Sequence, residues 1–143
     1  MGVQIDEAWG HQLAGRVNLP LRPGPVDVAD GGDYARSQQF YDRVLGVLGY
    51  SRQLDFGEAI GYGPEGRPDF WIAEGAGMGP NRETHFAFAA TGHDAVRAFH
   101  EAAVELGAES LHAPRLWPEY HEGYFAAFVR DPDGNNVEAV CHG

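Results

Sequence analysis

Cysteine is nearly absent from this chain. Cys141 is the single one among 143 residues, so no internal disulfide can form. That composition fits a reducing compartment. Basic residues are also few: Lys and Arg total 10 against 21 Asp and Glu, for a formal net charge of −11. Such a balance argues against nucleic acid as a partner, because phosphates attract Lys and Arg. No long apolar run suggests a membrane span. The first residues, MGVQIDEAWG, lack the basic-then-apolar order of a signal peptide. A cytoplasmic protein is the default expectation. Its 43% hydrophobic content supports a globular core, and the length suits one domain or two small halves that share a core.

What is present concentrates at the end of the chain. Residues 123–142, GYFAAFVRDPDGNNVEAVCH, read as two strands joined by a tight polar turn. Pro132 presets φ and Gly134 accepts a positive φ, so Asp131-Pro132-Asp133-Gly134 turns the chain. Val137, Ala139 and Cys141 alternate onto one apolar face, and Glu138 points the other way with Val140. A carboxylate in an apolar strand is costly to bury without a partner, so Glu138 needs a cation, hydrogen bonds or water.

Earlier segments repeat a simple order. Residues 1–15 show no sustained period and read as an N-terminal extension. Either RVNLPL (16–21) or PVDVAD (25–30) supplies a first strand. Asp33 is placed to cap a helix whose stripe is Ser37, Phe40, Val44 and Leu48, with Tyr41 and Leu45 beside it and Gly49 at its end. Short strands are expected at 51–56, 59–63 and 69–73, then a Gly-rich linker over 75–81. A strand at 84–90 follows, with a capping box from Thr91 and Asp94. The second helix carries Val96, Phe99, Ala103 and Leu106 on one stripe and stops at Gly107; a short strand at 109–112 precedes the hairpin. Phe99 follows Phe40 by 59 residues, and both helices end in Leu-Gly. This is weak internal duplication. The natural reading is α+β: two βαβββ modules, residues 16–80 and 81–143.

FVRDPDGNNVEAV, DYARSQQFYDRVLGVLGY and ETHFAFAA together resemble the vicinal oxygen chelate superfamily of glyoxalases, bleomycin-resistance proteins and extradiol dioxygenases. The resemblance spans residues 33 to 142. It implies that the two modules form a curved mixed sheet around a cavity, and that cups of this kind are often built across a homodimer. It also places His85 and Glu138 where the superfamily carries two ligands to a divalent ion such as Zn, Mn, Fe or Ni. Alternation agrees: Phe86 and Phe88 share a core face, so His85 points into the concavity as Glu138 does. The plainer alternative is a His85–Glu138 hydrogen bond without metal, because two side chains seldom make a site.

The chain departs from the superfamily's pattern in its first module. Phe99 lies 14 residues after His85, and the same step back from Phe40 falls on Val26, beside Asp27. If RVNLPL is the first strand instead, the slot falls to Arg16. Neither gives the usual His. The counterpart of Glu138 lies near Trp71, so no carboxylate stands there either. These residues do not match a standard glyoxalase I site. His11, Asp27, His121 or a partner chain remain as sources of a third ligand. The aromatic loop LWPEYHEGYF adds Trp117, Tyr120 and Tyr124 as ligand-binding candidates, with His121 as a general acid or base beside Glu138. Tyr62, Phe70 and Trp71 are expected to line the same cavity from the first half. Two functions stay open. One is a metal-dependent enzyme of lyase, isomerase or dioxygenase type, acting on a small oxygenated or aromatic molecule. The other is a metal-independent small-molecule binder of the bleomycin-resistance type.

Overall fold

In the computed structural model, residues 28–75 and 83–143 are described, with the side chains of the first helix given from Tyr34 onward. The first-strand candidate at 16–21, the extension at 1–15 and most of the Gly-rich linker lie outside these residues. Helix α1 spans Val28–Gly46 and is followed by strands β1 (Ser51–Asp55), β2 (Ala59–Gly63) and β3 (Phe70–Ala73). Then come β4 (His85–Ala89), α2 (His93–Glu105), β5 (Ser110–Leu116), β6 (Phe125–Arg130) and β7 (Asn136–Cys141). The fold is mixed α+β, and its second half is a complete βαβββ unit.

Hydrogen bonding divides the described strands into two sheets rather than one continuous sheet. Strands β1-β2-β3 form an antiparallel sheet, and β4-β7-β6-β5 form a second. The β4–β7 pair is parallel and the rest antiparallel, so the second sheet is mixed. The described strands form no closed barrel. No helix among the described residues is long and apolar enough to cross a membrane.

One face of each sheet is buried by the helices. Phe40, Tyr41, Val44 and Leu45 of α1 and Phe99, Ala102 and Ala103 of α2 share a core with Ile60, Tyr62, Phe88, Val129, Val137 and Ala139. The helices also meet each other, and Arg43 bonds Glu105 at 3.0 Å. Phe70 of β3 meets Phe86 and Phe88 of β4 with ring centroids 5.4 and 5.1 Å apart. The two sheets therefore abut on the core side. By alternation Trp71, opposite Phe70, and His85, opposite Phe86, lie on the same outward side.

The hairpin turn joins the halves. Asp131 is 6% exposed and accepts hydrogen bonds from Tyr41 of α1 at 2.6 Å, from the Asn135 amide side chain at 2.9 Å and from the backbone N–H groups of Asp133 and Asn135. Ser37 reaches Asp133 at 3.3 Å, and the Asn135 side chain accepts from the Thr84 N–H at 3.0 Å. The turn that marks the sequence is thus a clamp from the second half onto α1 and β4.

Four sequence expectations change. Val28, Ala29 and Asp30 are helical, which removes the end of the 25–30 strand candidate; the helix starts ahead of Asp33 and runs through Gly31 and Gly32. Glycine weakens a helix by only about 1 kcal/mol relative to alanine, so two of them do not force a break. The N-cap of the second helix is Gly92, which offers no side-chain cap, so the Thr91–Asp94 box does not form. Its first turn is stabilised instead by Asp94 near the helix N-terminus. Strand β5 is longer than expected because an edge strand tolerates Pro114 at a break in register.

Candidate active site

Glu138 lies in mid-β7, directly opposite Phe128 of β6 and Ala87 of β4. It is 2% exposed. Small neighbours, Ala87 and Ala126, leave room for its side chain on the outward face, while Val137 and Ala139 pack toward the helices. One carboxylate oxygen, Oε2, lies 2.9 Å from His85 Nε2. The other, Oε1, accepts a short hydrogen bond from the Tyr124 phenol. A buried charge of this kind is tolerable only because both oxygens are partnered. Burial, together with the Glu138 carboxylate, pushes the Tyr124 phenol well above the usual tyrosine range. It therefore stays a donor at all ordinary pH.

His85 differs from Glu138 in exposure. Half of its side-chain surface meets solvent. Its ring sits 5.9 Å from that of Phe128, and its Nδ1 has no hydrogen-bond partner among the described residues. Around the pair lies an aromatic lining. Trp117 is buried against Phe128, with centroids 5.1 Å apart, and donates from Nε1 to the Ala126 carbonyl at 3.2 Å. Tyr120 is exposed and stacks on Trp117 at 5.7 Å, while the Arg115 guanidinium sits 3.3 Å from the indole centroid. His112 meets both Trp117 and Phe128 edge-on.

The candidates named from sequence separate into three groups. His85, Glu138, Tyr124, Trp117 and Tyr120 come together on the outward face of the second sheet. Trp71 lies outward on the first sheet, half-buried and stacked on the exposed Phe56 with rings 4° from parallel. Gly61 permits this, since a Cβ there would come within 2.8 Å of the Trp71 ring. Tyr62 and Phe70 are the correction. Tyr62 is 1% exposed on the helix side, where its phenol donates to Asp42 at 3.0 Å, and Phe70 packs on Tyr41, Phe86 and Phe88. Both belong to the core rather than to the Glu138 face, because their strand positions alternate inward. His121 is exposed; it packs against the Tyr124 ring at 5.1 Å and lies beside His142 instead of contacting Glu138. The signal for Phe128 was available: Tyr124, Ala126 and Phe128 recur every second residue and end opposite Glu138.

A divalent ion fits this donor set only in part. His85 Nε2 and Glu138 Oε2 converge as two neighbouring ligands would, but no group of three or more His, Cys, Asp or Glu side chains exists among the described residues. Two protein donors do not close a site.

Comparison with known proteins supplies the family. No curated protein sequence matches significantly. Among solved structures, a glyoxalase/bleomycin resistance protein from Albidiferax ferrireducens is similar at 26% identity and a TM-score of 0.63, over 76% of this chain and 89% of that one. A glyoxalase/bleomycin resistance protein/dioxygenase family enzyme from Burkholderia phytofirmans aligns at 17% identity and a TM-score of 0.58, over 78% and 91%. A lactoylglutathione lyase from Agrobacterium tumefaciens aligns at 22% and 0.55, over 76% and 85%. The last two likenesses speak for the fold alone. The model of the glyoxalase-like domain matches residues 27–140. With that match over most of its length, the chain belongs to the glyoxalase-like domain family.

Proposed function

We propose that the chain binds a small oxygenated or aromatic molecule against the outward face of its second sheet, and that His85, backed by Glu138, moves a proton on that molecule. One observation carries this reading: a carboxylate 2% exposed grips Nε2 of an imidazole whose ring is half-exposed. A carboxylate on one ring nitrogen fixes the tautomer and leaves the other nitrogen to act toward the ligand. Tyr124 holds the carboxylate in place from its far oxygen. Trp117, Tyr120 and Phe128 supply apolar and stacking surface, with Trp71 on the neighbouring sheet.

A second reading, a divalent-metal enzyme, is favoured by the 2.9 Å convergence of His85 and Glu138. His11 or Asp27, or a second copy of the chain, would supply the further donors. Such an ion would polarise an oxygen pair on the ligand. A homodimer belongs to either reading, since Leu54, Phe56, Leu116 and Tyr120 leave exposed apolar surface to cover. Sedimentation equilibrium showing only a 15.6 kDa species would remove the dimer.

The test uses solvent-deuterium incorporation, followed by NMR, across a panel of small carbonyl-bearing acids. Wild type exchanges a carbon-bound proton, and His85→Gln loses the rate by about 10²–10⁴-fold. Ligand retention without exchange in wild type would replace the enzyme with the binding-protein reading. Calorimetric titration of Zn²⁺, Mn²⁺ and Fe²⁺ into wild type and Glu138→Gln decides the metal: tight binding lost in the variant supports the second reading, and no binding dismisses it.

A further inference from the structure

We propose that the ligand of the His85–Glu138 face is an aromatic carboxylic acid, and that Arg115 holds its carboxylate and so sets specificity. The inference rests on ligand binding at that face. β4 and β5 are the outer strands of the second sheet, three strand spacings of about 4.8 Å apart. His85 stands on the first and Arg115 on the second. The registers Glu138↔Phe128, Phe128↔His112 and Ala126↔Arg115 carry one outward face from β7 across to β5. Between His85 and Arg115 runs a floor of rings. Phe128 lies 5.9 Å from His85 and 5.1 Å from Trp117, and the Arg115 guanidinium lies 3.3 Å from the indole centroid. A molecule that reaches from His85 to Arg115 therefore needs an extended, flat body, and aromatic rings suit that floor.

The guanidinium is prepared for an anion. Trp117 is 6% exposed and its Nε1 donates to the Ala126 carbonyl, so the indole plane is fixed. Stacking on that plane occupies the face of the guanidinium and leaves its N–H edge for hydrogen bonds. One N–H donates to the Leu116 carbonyl at 2.7 Å and another to Glu119 at 2.8 Å. Arg130 differs, since its guanidinium meets both Glu83 and Glu109 and the Gly134 carbonyl as well. Arg115 has one carboxylate partner among the described residues, and Glu119 is half-exposed. An exposed pair of this kind is worth little and yields to a better-placed anion. Glu119 also shows what the guanidinium selects. The hydrogen bond from Arg115 holds the Glu119 carboxyl below the usual carboxylate range, so the group is ionised. A formal charge of −11 repels free acids from the protein at large, so an acid needs a fixed cation of this kind to settle on the face.

The experiment measures affinity by calorimetry for para-acetylbenzoate and its longer biphenyl homologue, each against the neutral amide of the same skeleton. Wild type binds the better-fitting acid at least about 10-fold more tightly than its amide, the worth of a charged hydrogen bond, and the preference shrinks as salt is added. Arg115→Gln removes the preference and leaves amide binding unchanged. Arg115→Lys keeps the charge without the planar fork and falls between the two. Glu119→Gln works in the opposite direction and tightens acid binding by about 2–5-fold. Circular dichroism spectra matching wild type show that these surface variants are folded. The proposal is overturned if wild type binds acid and amide alike, if it binds neither, or if Arg115→Gln keeps the preference. Proton exchange at His85 is a separate readout. His85→Gln stops exchange and retains the acid preference, so failure at Arg115 leaves the His85–Glu138 reading standing, and the reverse also holds.

Discussion

Two buried carboxylates in one hairpin do opposite jobs. Asp131 at its turn is 6% exposed, and Glu138 in its second strand is 2% exposed. Each accepts from a tyrosine, Asp131 from Tyr41 and Glu138 from Tyr124. The difference lies in the remaining partners. Asp131 is closed off by an amide side chain and two backbone N–H groups, all fixed in the turn. Glu138 instead ends on an imidazole that reaches solvent. Burial and tyrosine pairing alone therefore do not mark a functional acid. A path from the carboxylate to a ligand does.

Removing Asp131 should give the largest effect. Asp131→Ala strands the Tyr41 hydroxyl, the Asn135 side-chain amide and two backbone N–H groups. Each unsatisfied buried donor costs about 1–3 kcal/mol, so the total loss is at least about 3 kcal/mol. Urea denaturation reads it directly. Glu138→Gln should lose less, about 1–2 kcal/mol, because the amide oxygen still accepts from Tyr124 while the amide NH2 can donate to His85 Nε2 in its other tautomer. Equal losses in the two variants would erase the distinction between clamp and site.

Alkaline pH probes the tyrosine half of the comparison. Burial, with the Asp131 carboxylate, drives the Tyr41 phenol far up; burial with Asp42 raises Tyr62, and burial with Glu138 raises Tyr124. A raised folded value means the folded state keeps a proton that the unfolded chain has released. Stability is then complete below the unfolded phenol value, about pH 10, and falls as pH climbs above it toward the folded values. Absorbance titration should show these phenols ionising only as the protein unfolds. Ionisation of all the tyrosines near pH 10 with the fold intact would contradict their placement.

The fold was legible where period and punctuation agreed. The α2 stripe of Val96, Phe99 and Ala103 is buried as the helical period required, while Leu106, its expected fourth member, caps the helix at 46% exposure; the hairpin pairs Val129 with Val137 across its turn. Of the site, His85 and Glu138 could be placed because a polar side chain interrupts each apolar strand face. Tyr62 and Phe70 could not, since an aromatic residue in a short strand reads alike on either face. Only the register Tyr62↔Phe70, packed beneath Tyr41, decides it. The role of Asp131 was hidden for a related reason: a turn motif announces its own geometry, but its long-range partner lies 90 residues away.

The smallest effect expected is that of Tyr124→Phe, set against Tyr41→Phe. Both remove one phenol from a buried carboxylate. The Tyr41 side chain is 1% exposed and its hydrogen bond to Asp131 is buried, so Tyr41→Phe leaves an oxygen short of a charged hydrogen bond worth about 1.5–3 kcal/mol. Tyr124 is only half-buried at the edge of an open face, and His85 beside it is half-exposed. Water can take the place of the lost phenol there, and water-mediated bonds are nearly as favourable as direct ones. Tyr124→Phe should therefore cost under about 1 kcal/mol by urea denaturation. It should also remove one late-ionising phenol from the alkaline titration. A loss as large as that of Tyr41→Phe would mean that the Glu138 face is sealed in solution, by a second copy or by residues outside those described, and the site would then need that cover to be complete.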